Sequence, residues 1–141
     1  MQKKLDLWPV LSLKARISTV RTLNPGEFAG YGCEFQAQAP TTLAVATIGY
    51  ADGLPRNFSK TGNYVLLHGQ RANVIGQLCM DQMLLDVTGI NQVVPGDIIT
   101  IVGRDAGRMI CAETVAEKCG TITNELFSRL GNRLDTVWIS Q

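Results

Sequence analysis

Leu13-Lys14-Ala15-Arg16-Ile17-Ser18-Thr19-Val20-Arg21-Thr22-Leu23 is the stretch that decides the fold class. Leu13, Ala15, Ile17 and Thr19 fall on one face of an extended chain, and Lys14, Arg16, Ser18 and Val20 on the other. Successive side chains of a strand point to opposite faces, so this alternation predicts a half-buried β-strand. Further runs of strand length follow at Thr41 to Gly49, Tyr64 to Leu67, Arg71 to Gly76, Met83 to Val87 and Asp97 to Val102. Glycine and proline separate them. Pro25-Gly26 and Pro95-Gly96 fit tight turns, proline presetting φ and glycine accepting a positive one. Short strands bounded by turn residues at this spacing predict an all-β, barrel-like domain.

The texture changes near the C-terminus. From Ala112 to Leu130 there is no proline, and only Gly120 interrupts. Val115, Ala116 and Cys119 follow helical spacing, as do Ile122, Leu126 and Leu130. Two short helices meeting near Gly120 are expected, the second capped by Thr121 or Thr123, with a last strand from Leu134 to Ile139.

Composition narrows the partners. The chain has 141 residues, 45% apolar and 18% charged, with a formal net charge of +1. That is enough for one domain with its own core, and it calls for neither nucleic acid nor an anionic surface. No stretch reaches the ~18 apolar residues of a membrane span, and Asp6 and Pro9 break the opening apolar segment. Cys33, Cys79, Cys111 and Cys119 form no C-x-x-C pair, and His68 is the sole histidine. No metal site is expected; the cysteines read as small buried thiols.

Three short clusters carry candidate chemistry: Gly30-Tyr31-Gly32, then Ile48-Gly49-Tyr50-Ala51-Asp52-Gly53, then Cys79-Met80-Asp81-Gln82. Each sets a polar group beside glycine or at a strand end, where backbone can approach a ligand. Tyr31, flanked by glycines, is sterically accessible. A phenol serves as general acid or base where a neighbouring cation stabilises the phenolate. Taken alone, it reads first as a surface aromatic in a glycine turn. Asp52 fits an ordinary turn aspartate, and Met80-Asp81 a buried methionine beside a capping carboxylate.

Taken together and in order, these clusters resemble the C-terminal domain of the alanine racemase family. Pro9-Val10-Leu11-Ser12-Leu13-Lys14-Ala15-Arg16-Ile17 is similar to the entry into that domain. Gly49-Tyr50-Ala51-Asp52-Gly53 and Cys79-Met80-Asp81-Gln82 are similar to its two signature motifs. The resemblance runs from about Pro9 to Ile139. It assigns residues 1–12 to a tail leading from a (β/α)₈ barrel that these residues do not include, and residues 13–141 to the β domain.

The resemblance implies a racemase dependent on pyridoxal 5′-phosphate, the cofactor being held on a lysine of the barrel. It also implies a head-to-tail homodimer in which each site lies between one subunit's barrel and the partner's C-terminal domain. Tyr31 then stands where the family has its catalytic tyrosine base, which removes the α-proton of the L-amino acid. Met80 matches the residue whose backbone amide holds the substrate carboxylate, Tyr50 a tyrosine at the substrate entrance, and Asp81 a neighbour of it. Asn124 matches a position where alanine racemases carry a tyrosine that limits the site and reaches the cofactor phosphate. The serine/alanine racemases of vancomycin-resistance systems carry asparagine there, so serine and alanine both stand as substrates, with D-amino acids for peptidoglycan as the product class. A plain alanine racemase domain, in which Asn124 only begins a helix, stays open, as does a non-catalytic dimerisation or ligand-binding module.

None of the five lysines, Lys3, Lys4, Lys14, Lys60 and Lys118, lies in the family's cofactor-lysine context. This chain alone is therefore expected to be inactive, as part of a longer enzyme. The domain is expected in the cytoplasm, with room for a membrane-anchored parent.

Overall fold

The computed structural model describes residues 9–139; most of the expected leading tail lies outside them. Nine strands come first: β1 (Leu13–Leu23), β2 (Phe28–Ala29), β3 (Phe35–Gln36), β4 (Thr41–Ala46), β5 (Tyr64–Leu67), β6 (Gln70–Ile75), β7 (Met83–Asp86), β8 (Ile98–Asp105) and β9 (Arg108–Ile110). Helices α1 (Ala112–Lys118) and α2 (Thr123–Ser128) follow.

The sheet order β1-β4-β7-β6-β5-β8-β9 closes on itself because β1 also pairs with β8. Residues Leu13 to Arg16 pair with β8 and residues Ile17 to Leu23 with β4, so one long strand serves both neighbours. Every ladder is antiparallel. Closure removes the exposed edges of an open sheet. The alternation of β1 holds as far as Ile17; an irregularity between Ile17 and Thr19 then shifts the register, and Thr19 is exposed.

The interior is filled by Ile17, Ala44, Ala46, Leu67, Met83, Leu85, Ile99 and Ile101, with Phe58 from the turn at Arg56–Lys60. A second, smaller core lies outside the barrel, where Leu23, Ala29, Ala37, Leu43 and Leu84 meet Phe35, Val45 and Ile75. Strand β4 is thus apolar on both faces, Ala44 and Ala46 inward and Leu43 and Val45 outward, so its sequence does not alternate. The outward patch is covered by the hairpin β2–β3.

Both Pro-Gly turns form as expected, Asn24 O accepting from Glu27 N–H at 3.0 Å and Val94 O from Asp97 N–H at 3.2 Å. The two helices meet at Gly120 as expected, with Val115, Ala116 and Leu126 buried. Three details differ. The residue capping α2 is Ile122, 65% exposed and without a side-chain cap, because the Thr121 hydroxyl bonds the Glu125 carboxylate instead. Residues 134–139 form no strand. Val137, Trp138 and Ile139 have the right propensity but are exposed, and no described strand pairs with them. Of the cysteines, only Cys119 is buried; Cys33 is exposed, and Cys79 and Cys111 are intermediate.

Candidate functional site

One end of the barrel gathers the sequence motifs. Strand β4 ends beside the start of β7, Ala46 opposite Met83, and β6 ends beside them, Ile75 opposite Leu84. The segments leaving this rim are Gly49–Gly53 and residues 76–82.

These two segments are laced together through their backbones. Tyr50 N–H donates to Cys79 O and Ala51 N–H to Met80 O, both at 3.0 Å. The approach leaves no room for a side chain at position 49, where a Cβ would lie 2.2 Å from Cys79 O and 2.3 Å from Met80 O. Tyr50 is half-buried against the core, and Met80 is 52% exposed. Among the described residues the Met80 N–H meets no acceptor.

Tyr31 arrives from the hairpin. Gly30, at φ 82°, turns the chain where a Cβ would press 3.2 Å from Leu84 Cδ1, which seats the tip on the same rim. The phenol that follows is 75% exposed. Next to it, Glu34 accepts from Lys60 Nζ at 3.2 Å. With its amide oriented to satisfy both neighbours, Gln77 donates to Glu34 at 2.8 Å and accepts from Arg56. The hairpin tip is therefore tied to the chain that leads into Met80. Among the described residues no cation bonds the Tyr31 hydroxyl.

Asp52 reads differently once its surroundings are known. Far from being a solvated turn residue, it is 7% exposed, and Oδ2 accepts from Gly49 N–H at 2.8 Å. Its other oxygen accepts from Arg133 Nε at 3.0 Å, and the same guanidinium bonds Asp81. The two carboxylates, Asp52 foremost and then Asp81, raise the pKa of the Arg133 guanidinium above its ordinary value. Sequence reading misses Arg133. It lies 81 residues from Asp52, and nothing local marks it until a buried carboxylate demands a cation.

Tyr31, Tyr50, Met80 and Asp81 thus share one rim, whereas Asn124 sits exposed in the first turn of α2. No described contact joins Asn124 to the cluster. The links from that region are Arg133 and the Arg129 carbonyl, which would lie 2.4 Å from a Cβ at Gly53. Arg129 itself pairs with Glu125 at 3.8 Å, and Arg71 lies 4.4 Å from the centre of the Tyr64 ring.

The described lysines are all engaged: Lys14 with Thr100 and Arg104 O, Lys60 with Glu34, Lys118 with Gly62 O. They do not fit the role of a free amine for the pyridoxal aldehyde. Among the described residues no cluster of three or more side chains could hold a metal ion.

The structure thus defines a closed antiparallel β-barrel domain that carries Tyr31, Tyr50 and Met80 on one rim. The sequence profile of the family "Alanine racemase, C-terminal domain" matches residues 10–138, and the chain belongs to that family. It is 42% identical over 132 residues to an amino-acid racemase of Enterococcus faecalis, covering 94% of this chain and 19% of the relative. It is also 42% identical over 135 residues to the alanine racemase of a Synechocystis strain, covering 96% of this chain and 36% of the relative. The structure of the Bartonella henselae alanine racemase with covalently bound pyridoxal phosphate superposes with a TM-score of 0.83 at 29% identity, over 91% of this chain and 34% of that one. The chain therefore spans between about a fifth and about a third of these relatives.

Proposed function

We propose that this chain is the C-terminal part of a pyridoxal-phosphate-dependent racemase of alanine, and that it supplies one proton-handling face and the carboxylate end of a site completed by another surface. The observation that carries this reading is the Tyr31 phenol, 75% exposed on the rim that also carries the open Met80 N–H. A phenol directed out of its own domain can act only on something held opposite it. The cofactor, when bound by the rest of the enzyme, stabilises negative charge at the α-carbon.

What this chain does is then simple. The Met80 N–H donates to the substrate carboxylate, Tyr50 narrows the entrance, and Asp81 stands beside Met80. The Tyr31 oxygen takes the α-proton of the L-amino acid, or returns one to that face. Racemisation needs a second base on the other face. The opposing barrel, contributed by a partner subunit in a homodimer, is where this reading puts that base together with the cofactor. A cytoplasmic supply of D-alanine for peptidoglycan is the role that goes with it.

In the whole enzyme, Tyr31→Phe is expected to keep the cofactor's absorbance and lose about 10²–10⁴-fold in turnover, the usual worth of one general base. The 141-residue chain alone, given pyridoxal phosphate, is expected to racemise neither alanine nor serine. Near-normal turnover of the Phe variant in both directions sinks the reading.

A second reading takes serine as substrate. Asn124 is exposed and its amide is unbonded among the described residues, so it is free to pair with a substrate hydroxyl. Asn124→Tyr is then expected to move the serine-to-alanine ratio of kcat/KM by roughly five- to 150-fold. An unmoved ratio leaves alanine as the substrate and Asn124 as a helix-start residue.

A further inference from the structure

The rim contains a cation that proton transfer does not use. Arg133 follows α2 in an irregular segment and reaches two carboxylates on two different turns, Asp52 of Gly49–Gly53 and Asp81 beside Met80. The two ends differ in burial. The Asp52 side chain is 9% exposed, the Asp81 side chain 55%. A buried carboxylate needs its charge answered, so the Asp52 arm fixes where the guanidinium sits. The Asp81 arm is an exposed ion pair, a class that adds little to stability.

A contact worth so little energetically can still fix a distance. Guanidinium is a planar fork with donors at set angles, and a fork gripping two carboxylates sets the spacing between them. Here that spacing is between the turn that presents Tyr50 and the turn that presents the Met80 N–H. The backbone bonds from Tyr50 and Ala51 join the turns at one edge. Arg133 joins them at another, and two separated struts resist a rocking that one would allow.

We infer that Arg133 is a positioning residue of the amino-acid site. By bridging Asp52 and Asp81 it holds the Met80 N–H in register with the Tyr50 ring, and so acts on binding of the substrate carboxylate without touching it. The inference rests on the reading above in which Met80 receives that carboxylate.

The test uses the whole enzyme carrying this domain, with variants Arg133→Met, Arg133→Lys and Asp81→Asn. Two readouts are taken, steady-state kinetics on alanine and hydrogen–deuterium exchange of peptides covering 49–53, 79–82 and β5. Arg133→Met is expected to speed exchange in both turns and leave β5 unchanged. It should raise KM for alanine about tenfold with kcat nearly constant, the pattern of a lost contact made equally in the ground and transition states. Arg133→Lys should recover only part of the affinity, because a point charge cannot grip both carboxylates. Asp81→Asn keeps the buried Asp52 paired, so it remains informative if Arg133→Met fails to fold; it should raise KM about threefold.

Unchanged exchange at 79–82 in Arg133→Met, or in Asp81→Asn should Arg133→Met not fold, overturns the bridge. Faster exchange with unmoved KM, while Tyr31→Phe is inactive, overturns positioning and leaves the site reading standing. The same exchange result with Tyr31→Phe fully active overturns both.

Discussion

Inside the barrel, Phe58, Leu67, Leu85 and Ile99 are 0% exposed and meet one another as apolar surfaces. At the rim, Tyr31 and Met80 are 75% and 52% exposed, and order comes from backbone hydrogen bonds and one bridging guanidinium. The interior is held by burial, which is non-directional and tolerant of small shifts. The rim is held by directional bonds, which fix angles but contribute little net free energy each. Stability and site geometry therefore reside in different side chains and can be separated by substitution.

The largest expected effect is in the interior. Phe58 is 0% exposed and comes from a turn, not a strand, so the strands would not readily close around its absence. Phe58→Ala is expected to cost roughly 3–5 kcal/mol, read as a fall in the urea midpoint of the 141-residue chain. A loss under about 1 kcal/mol would show that the barrel does not depend on this plug, and would break the comparison at its stronger end.

An intermediate effect is expected where the rim meets the barrel. A Cβ at position 49 would stand 2.2 Å from Cys79 O, so Gly49→Ala must push the two turns apart. The bonds from Tyr50 and Ala51 to Cys79 and Met80 would be lost, about 1–3 kcal/mol together. Its signature is functional: racemisation by the whole enzyme should fall far more than the midpoint shift explains. Full activity would mean that the lacing does not hold the Met80 N–H.

The same division governs what could be read in advance. Strands β1, β4, β5, β6, β7 and β8 were legible because each combines a run of strand-forming residues with flanking turn residues, a local signal. So were the helices around Gly120. The hairpin β2–β3 was not legible, since Phe28–Ala29 and Phe35–Gln36 are too short to show a period. Its job, covering Leu43, Val45 and Leu84 on the outside of the barrel, exists only after closure. The expected strand over residues 134–139 failed for the complementary reason, propensity without a described partner strand. On the rim, Tyr31 and Tyr50 stood out beside glycine and Met80 and Asp81 at a strand end, and the family resemblance gave them their expected roles. Arg133 and the buried state of Asp52 did not, because their pairing spans 81 residues and follows from topology. Asn124 was picked by motif position, and no described contact draws it to the rim.

The smallest expected effect sharpens the comparison most. Tyr31 is 75% exposed at a hairpin tip, and its hydroxyl bonds no described residue. Removing that oxygen creates no cavity and strands no buried partner, so Tyr31→Phe should shift the stability of the 141-residue chain by less than about 0.5 kcal/mol. Urea unfolding of the two proteins side by side measures it. A destabilisation beyond about 1 kcal/mol would mean that the hydroxyl is held within the domain, the behaviour of a packed aromatic and not of a base directed outward. An unchanged midpoint, set beside a loss of about 10²–10⁴-fold in the whole enzyme, would separate the two roles at one atom. The oxygen would then contribute nothing to the fold that carries it, and its worth would appear only against a substrate held by the facing surface.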